Sequence, residues 1–373
     1  MENPFIFGET LSDASFIDRE QEAASLARDL GDGQKVLLVA PRRFGKSALI
    51  GAVLRRLQAR GVHTAAVPVA EATSYTEFLE LFLTAVVRAA GPIDRLKNWG
   101  GRVLDRLRPE LVLDNRTGEV RVSLGAGRPP EVPPAGEVFR IPGDVATHGR
   151  FRLVLALDEF PQVMQFGQNI EWALREAMQR QREVGYVIAG SQPSLMAAML
   201  APRRPFYKMG PTLFLERIAK TAWQAFIPAQ FERRKRTLTP AGLDLLLSTA
   251  GLIPYDVQRL AHELWDHAEL TGATVLDVTE VAQVVAGIVA GQAPYYERLW
   301  EQLVIRQRAV LRALTVAPDR ILHEAVRTRY GLGAASTVQR ALELLQRQEL
   351  IARERQGYIF LDPFLAAWIR GGR

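Results

Sequence analysis

The sequence predicts an α/β protein with a parallel sheet core, followed by a helical unit and a terminal domain of three helices and a hairpin. In the first half, short apolar runs alternate with amphipathic segments of helical length, which is typical of a parallel sheet covered by helices on both faces. Residues 221–290 contain helical patterns and no further strand. The last stretch, 296–373, shows three helical segments and a two-stranded ending around Gly357.

Length and composition indicate an ordinary globular protein with more than one domain. The chain has 373 residues, of which 48% are hydrophobic and 24% are charged, and its mean hydropathy is −0.03. A chain of this length exceeds what a single hydrophobic core usually supports. We therefore expect three domains, at 1–218, 219–292 and 293–373.

The sequence carries no signal of export or membrane insertion. No apolar run approaches the roughly 20 residues that a membrane-spanning helix needs. An acid at position 2, with no basic residues before an apolar stretch, argues against a secretory signal. The absence of cysteine excludes disulfides and thiolate chemistry. We expect a cytoplasmic location and no membrane partner.

Basic charge is concentrated near the end of the chain. The net charge is +6, and residues 297–373 contribute +5 of it, with thirteen arginines against eight acids. A basic terminal domain favours an anionic partner such as nucleic acid. The alternative is a solvated arginine-rich surface that binds nothing. Only six of the 47 basic residues are lysines, so a lysine at a critical position is informative.

The predicted elements of the first domain follow one another closely. Strands are predicted at 35–40, 62–69, 151–157, 185–190 and 212–215, and helices at 16–30, 46–60, 75–90 and 168–183. Asp18 is the predicted N-cap of the first helix. Residues 110–124 predict a hairpin insertion with its turn at 115–118. The Pro/Gly-rich stretch 125–136 predicts a flexible connection.

The strongest functional signal is APRRFGKS at 40–47, directly after a buried strand and at the start of a helix. This is the context of a P-loop, in which main-chain N–H groups of the loop and the helix start point at phosphates. Gly45 lets the backbone approach closely, and Ala40 stands where the motif has its first glycine. Lys46 would reach the β- and γ-phosphates, and the Ser47 hydroxyl would ligate Mg²⁺. The residues assigned to ATP binding here are Pro41, Arg42, Arg43, Phe44, Gly45, Lys46, Ser47 and Ala48.

A second strand ends in acids, as a P-loop site requires. LVLALDEF at 153–160 places Asp158 and Glu159 at the carboxyl end of a buried strand. Asp158 would hold Mg²⁺, and Glu159 would act as general base on the attacking water. Taken alone, the pair could be a strand-end turn, but its position after a P-loop favours the functional interpretation.

A third strand, YVIAG at 186–190, ends in Ser191 and Gln192. A polar residue at this place in many P-loop ATPases touches the γ-phosphate or the catalytic water. The alternative is that Ser191 caps the next helix. Arg204, after that helix, could complete the site of a neighbouring subunit as an arginine finger in a nucleotide-dependent homo-oligomer. Alternatively, Arg203 and Arg204 are a solvated pair.

Together these motifs resemble the archaeal-type ATPase family, within the STAND and AAA+ division of P-loop NTPases. The segments that carry the resemblance are NPFIFG, FIDRE, PRRFGKS, LDEFPQV, GSQPSLM, PFY and GLIPYDVQRL. The resemblance covers nearly the whole chain. It implies that Phe16 and Arg19 lie near the adenine, and that Pro254, from a helical lid, closes over the nucleotide. The family often has an arginine directly after the third strand, where this chain has Gln192.

The terminal domain has the pattern of a winged helix. Helices are predicted at 301–316, 320–330 and 336–348, and a hairpin at 350–361. Ser336 is the predicted N-cap of the third helix. The buried face of that helix is predicted to consist of Val338, Ala341, Leu342, Leu344 and Leu345.

A winged helix suggests contact with duplex DNA through residues 336–355. The third helix would enter a major groove, and the arginines of the hairpin, Arg353 and Arg355, would contact phosphates. The side chains that the third helix would expose are Thr337, Gln339, Arg340 and Arg347. The alternative is that this domain packs against the ATPase core or a protein partner.

The sequence thus favours an Mg-ATP-hydrolysing protein whose nucleotide state controls a winged helix acting on DNA. ATP that bridges the loop and the lid would supply the differential contact that such a switch requires. One alternative is a slowly hydrolysing signalling switch that recruits a protein and does not bind DNA. Another is a transcription regulator with a vestigial ATP site.

Overall fold

The structure, a computed structural model, describes residues 3–8, 18–91, 110–113, 120–124, 133–167, 169–354 and 357–372. The chain divides into two compact units, one of residues 10–216 and one of residues 1–9 with 217–373. We call them the core unit and the helical unit.

The core unit alternates strands and helices. Its strands are β1 (Lys35–Val39), β2 (His63–Pro68), β3 (Glu110–Leu113), β4 (Val120–Ser123), β5 (Leu153–Asp158), β6 (Val184–Gly190) and β7 (Thr212–Phe214). Its helices are α1 (Glu20–Gly31), α2 (Lys46–Gln58), α3 (Tyr75–Ala90), α4 (Ala135–Val138), α5 (Ile141–Gly149), α6 (Ile170–Arg180) and α7 (Pro193–Met199), with 3₁₀ turns at Val69–Glu71 and Phe160–Phe166.

Five strands form one sheet in the order β2-β5-β6-β1-β7, and every neighbouring pair in it is parallel. The central strands β5 and β6 are buried on both faces, as their continuous apolar runs predict. Because the strands are parallel, the carboxyl ends of β1, β5 and β6 meet at one edge, and the loops that follow them can build one site.

The predicted strands and helices of the core unit are confirmed, with shifts of a few residues at their ends. The predicted hairpin is confirmed as the antiparallel pair β3–β4, while its turn at 115–118 lies outside the described residues. Of the flexible connection predicted at 125–136, only residues 133–136 are described. Helix α4 begins within them, at Ala135. The short helix α5 was not predicted.

Asp18 as the N-cap of the first helix is a wrong prediction. The helix begins at Glu20, so Arg19 occupies the N-cap position, and Asp18 has a φ of +50°. A helix start is predicted at a short polar side chain that can accept a hydrogen bond from the backbone. This rule selects Asp18 as the N-cap, whereas the observed N-cap position is one residue later, at Arg19.

The helical unit consists of α8 (Lys220–Glu232), α9 (Pro240–Thr249), α10 (Pro254–Thr271), α11 (Val278–Gln302), α12 (Ile305–Leu314), α13 (Glu324–Arg329), α14 (Ala335–Arg347) and α15 (Pro363–Arg370). Its strands are β8 (Thr237–Leu238), β9 (Val275–Leu276), β10 (Ile351–Glu354) and β11 (Gly357–Phe360). The parallel pair β8–β9 corrects the expectation of no strand between 221 and 290. We call α8, α9, α10 and the part of α11 before residue 292 the lid helices.

The start of the chain, residues 3–8, packs on the lid helices. Phe5 is 1% exposed, and its ring contacts those of Phe226, Phe231 and Trp265 at centroid distances of 6.1, 5.4 and 6.0 Å. The His262 Nδ1 lies 2.6 Å from the Phe5 carbonyl oxygen. Phe5 therefore fills a pocket of the helical unit, whereas Ile6 and Phe7 are half-buried.

The three helices and the antiparallel hairpin β10–β11 confirm the predicted winged-helix pattern. Two predictions about its third helix are wrong. The third helix, α14, begins at Ala335 after Ala334, so Ser336 is not its N-cap. Leu344 is 47% exposed, whereas the other four residues predicted on the buried face of this helix are buried. A further helix, α15, follows the hairpin and was not predicted.

No helix in the described part of the chain combines the length and the apolar character that crossing a membrane requires.

Candidate nucleotide site

The loop of residues 40–45 connects β1 to α2 at the carboxyl edge of the sheet. Gly45 has a φ of +84°, in the left-handed region that favours glycine. No atom of the described residues lies within 4 Å of where a Cβ at Gly45 would stand, so this side of the loop is open. Phe44 is buried and its N–H donates to the Pro41 carbonyl at 3.3 Å. The loop is thus anchored by an apolar side chain and open toward the helix start.

Lys46 is the first residue of α2, and its side chain is only 6% exposed. Its ammonium group binds Asp158 Oδ1 and, at 2.8 Å, Glu159 Oε1. A buried charge is tolerated only when it is paired, and these two carboxylates supply the pairing. The contact joins residues 112 and 113 positions apart in the chain, as the P-loop interpretation predicts.

Ser47 and Asp158 provide the oxygen atoms that Mg²⁺ would need. The Ser47 hydroxyl donates to Asp158 Oδ2 at 3.0 Å, and Asp158 Oδ1 accepts from the Glu159 N–H at 2.9 Å. Hydroxyl and carboxylate oxygens are the ligands that Mg²⁺ prefers. Ser47 is exposed, so this pair can be reached from solvent.

Glu159 is held in place from two strands. It has a φ of +54°, which is uncommon for a residue with a Cβ and occurs often at functional sites. Its Oε2 accepts from both the main-chain N–H and the hydroxyl of Ser191, at 3.0 and 2.9 Å. Neither predicted role of Ser191, phosphate contact or helix cap, includes this contact. We call Lys46, Ser47, Asp158, Glu159 and Ser191 the phosphate-site cluster.

Gly190, the last residue of β6, lies close to Met196 and Pro161. A Cβ there would lie 2.7 Å from the Met196 Sδ and 2.9 Å from the Pro161 Cγ. Pro161 follows the acids of β5, and Met196 belongs to the helix after β6. A side chain at Gly190 would therefore require Met196 or Pro161 to move.

The other residues predicted to belong to the site make none of the hydrogen bonds described for the phosphate-site cluster. Gln192 occupies the N-cap position of α7 and is partly exposed. Arg204 pairs with Glu171 at 3.0 Å, and burial raises the pKa of the Glu171 carboxyl while Arg204 acts in the opposite direction. Ala48 lies in the first turn of α2, and Arg42 and Arg43 are exposed. These residues keep their assignments as predictions.

The family resemblance assigns Phe16 and Arg19 to the adenine and Pro254 to the closure over the nucleotide. Arg19 is 5% exposed, bonds Glu22 Oε1 at 3.1 Å and donates to the Glu216 carbonyl. Phe16 lies outside the described residues. Pro254 is the first residue of α10 in the helical unit and is buried. Their roles toward the nucleotide stay predictions.

The winged-helix residues predicted to contact DNA are partly accessible. Arg340, Arg347 and Arg353 are exposed, whereas Thr337 and Gln339 are half-buried. Arg355 lies outside the described residues. The accessible surface of α14 therefore carries arginine together with the apolar side chain of Leu344.

Solved structures similar to this chain cover nearly its whole length. The Walker-type ATPase of Pyrococcus abyssi has a TM-score of 0.67 at 17% identity and covers 98% of this chain and 99% of its own. The ORC2 protein of Aeropyrum pernix, solved as ADPNP–ADP complexes, has a TM-score of 0.54 at 17% identity, with 99% and 96% covered. The ORC1 protein of the same organism, solved in complex with DNA, has a TM-score of 0.52 at 17% identity, with 100% and 98% covered.

Residues 294–371 match the family described as "Probable winged helix domain". A search of curated protein sequences finds no match to the chain. The parallel sheet and the similar structures define the fold of a P-loop ATPase. More particularly, the chain shares the fold of the Pyrococcus abyssi Walker-type ATPase and the Aeropyrum pernix ORC proteins, and it has a C-terminal winged helix.

Proposed function

We propose that this protein binds Mg-ATP at the phosphate-site cluster and hydrolyses it, and that its nucleotide state controls the engagement of duplex DNA by the winged helix. The observation that carries the proposal is the convergence of one buried lysine, one hydroxyl and two carboxylates at the ends of β1 and β5. This donor set matches what a triphosphate and its metal require.

Each residue of the cluster has a task that its contacts support. The main-chain N–H groups at the start of α2 and the Lys46 ammonium would bind the phosphates. Ser47 and Asp158 would hold Mg²⁺, which neutralises phosphate charge when bound. Glu159 would accept a proton from the attacking water. Ser191 keeps one oxygen of Glu159 fixed, which limits the directions in which the other oxygen can point.

Nucleotide binding would change the partners of Lys46. Its ammonium is already shared by Asp158 and Glu159, so a phosphate oxygen would replace a carboxylate oxygen in its coordination. That exchange would release Glu159 from the lysine and leave it bonded to Ser191. The acid that serves as base is thus restrained in the absence of substrate.

The DNA part of the proposal is supported by the exposed arginines of α14 and β10 and by the ORC1 structure, which holds DNA. The decisive experiment measures ATP turnover with and without duplex DNA, and records particle size in the same samples. Turnover that rises with DNA supports the proposal. Turnover without any effect of DNA leaves ATP hydrolysis standing and contradicts the DNA part, and no turnover in either sample contradicts the hydrolysis.

A second candidate is a slowly hydrolysing switch that recruits a protein partner. Leu344, at 47% exposure on α14, and Ile305, at 83% exposure at the start of α12, are the side chains that an apolar partner surface would cover. A mobility shift with duplex DNA at low salt separates the candidates, since only the first predicts a shift.

A further inference from the structure

Helix α11 joins the lid helices to the winged helix and contains an intrinsically weak segment. Between residues 287 and 294 it holds Gly287, Gly291 and Pro294. Each glycine weakens a helix relative to alanine because it loses more conformational freedom on folding. A proline inside a helix removes a main-chain hydrogen bond and bends or breaks it. The helix nevertheless runs without interruption from Val278 to Gln302.

Side chains span the proline. Gln292 and Tyr296 lie four residues apart, on either side of Pro294, and the Tyr296 hydroxyl is bonded to the Gln292 amide. With the amide oxygen turned toward α10, Gln292 accepts from Arg259 Nη1 and Nη2 at 2.8 and 3.1 Å, and its amide nitrogen donates to the Tyr296 hydroxyl. In this orientation both the oxygen and the nitrogen of the Gln292 amide have a hydrogen-bond partner.

The same group continues into the winged helix. The Tyr296 hydroxyl donates to Asp362 Oδ2 at 3.1 Å. Asp362 caps α15, because its Oδ1 accepts from the N–H groups of Phe364 and Leu365 at 3.0 and 3.3 Å. The Arg259 guanidinium lies 5.3 Å from the centroid of the Phe364 ring, a cation–π distance. Tyr296 and Phe364 are fully buried, whereas Gln292 and Asp362 are half-buried.

A second contact joins the hairpin of the winged helix to the segment that precedes the lid helices. Arg217, directly before the lid helices, pairs with Glu354 of β10 at 3.1 Å. The winged helix is therefore tied to the lid helices through α15, and its hairpin is tied to Arg217, three residues before α8.

We propose that Arg259, Gln292, Tyr296 and Asp362 clamp the weak segment of α11, so that the lid helices and the winged helix move as one rigid body. The regulatory meaning rests on the proposed function. Helix α10 begins at Pro254, predicted to close over the nucleotide, and carries Arg259 of the clamp five residues later. A displacement of α10 on nucleotide binding would then reach the DNA-facing helix α14 undiminished.

The test uses the absence of cysteine, because two introduced cysteines are the only labelling sites. Leu270→Cys, on the lid helices at 87% exposure, and Val316→Cys, in the winged helix at 63% exposure, carry spin labels. Pulsed electron paramagnetic resonance of the full chain without nucleotide is expected to give one narrow distance distribution. The distribution should keep its mean and its width when ADP or a non-hydrolysable ATP analogue is added.

Tyr296→Phe removes only the hydroxyl that joins Gln292 to Asp362, and should widen the distribution about two-fold or more. The matched control is Tyr295→Phe, one residue away and 63% exposed, which should leave the width unchanged. Gln292→Ala is a second variant that should widen the distribution if Tyr296→Phe folds poorly.

A broad or nucleotide-dependent distribution in the labelled parent would overturn the clamp, as would an unchanged width in both clamp variants. The measurement without nucleotide does not depend on ATP binding or DNA binding. A failure of the clamp is therefore distinguishable from a failure of the proposed function.

Discussion

Ser191 and Glu159 are joined across neighbouring strands by two hydrogen bonds, from the Ser191 N–H and hydroxyl to Glu159 Oε2, at 3.0 and 2.9 Å. Glu159 follows β5 and Ser191 follows β6, and these strands are adjacent in the sheet. The sheet register therefore sets the direction of the carboxylate. An acid on a freely rotating side chain would lack this orientation.

Ser191→Ala should lower the kcat of ATP hydrolysis about 10-fold with little change in KM. The lost hydroxyl bond goes to a carboxylate, and a hydrogen bond to a charged group contributes about 1.5 kcal/mol at the low end, which corresponds to a factor of about ten. The main-chain bond remains. Steady-state kinetics would measure the split. Ser191→Thr, which keeps the hydroxyl, should restore most of the rate. A rise in KM with unchanged kcat would instead indicate that Ser191 contacts the substrate directly.

Glu159→Gln should retain nucleotide binding and lose turnover by about 100-fold or more, the range expected when a general base is removed. Phosphate release measures turnover, and calorimetry measures binding in the same preparation. The control is Glu176→Gln on α6, an exposed acid that makes the same change of charge. Hydrolysis at the parent rate in Glu159→Gln would remove Glu159 as the base.

Lys46→Ala should weaken Mg-ATP binding by roughly 10- to 100-fold, because a hydrogen bond to a charged group contributes about 1.5–3 kcal/mol. Isothermal titration calorimetry with Mg-ATP is the measurement. Lys208→Ala changes an exposed lysine and serves as the control. Equal binding heats for the parent and Lys46→Ala would contradict the assignment of the P-loop.

Arg340→Ala and Arg353→Ala should each weaken duplex DNA binding and reduce the slope of log affinity against log salt by about 1. Fluorescence anisotropy over a series of salt concentrations measures both quantities. Arg28→Ala removes an arginine of the core unit whose side chain is 68% exposed and controls for net charge. A slope that these two variants leave unchanged would move the DNA-binding surface away from α14 and β10.

Phe5→Ala should lower the free energy of unfolding by about 3–5 kcal/mol, the usual cost of deleting a buried aromatic ring. Chemical denaturation monitored by tryptophan fluorescence measures it, since Trp265 contacts this ring. Phe7→Ala, at a half-buried position, should cost clearly less. Equal stabilities of the parent and Phe5→Ala would show that the first residues do not hold the lid helices.

The main elements of the core could be predicted from sequence because they rest on strong local signals. A continuous apolar run before APRRFGKS identifies both β1 and the start of α2, and Asp158 ends β5 where a second apolar run stops. The helix Tyr75–Ala90 matches its predicted span because Ser74 caps it and its apolar residues recur at helical spacing.

Features that depend on distant residues could not be predicted in this way. The Ser191–Glu159 contact joins two strands through sheet order, which no local pattern encodes. Leu344 has the spacing of a core residue, yet its side chain is 47% exposed. Helix α15 is short and apolar, so it reads as an extension of the hairpin unless its cap, Asp362, is weighed.

The paired state of Lys46 makes nucleotide affinity an internal competition. Asp158 and Glu159 are bound to the ammonium group that a phosphate would need. Because both carboxylates belong to the same chain, they compete with the ligand at a high effective concentration. Neutralising one of these carboxylates should favour the ligand. The Glu159→Gln variant, in which the proposed base is lost, is therefore expected to bind ADP more tightly than the parent. Slower hydrolysis and tighter nucleotide binding would then occur in the same variant.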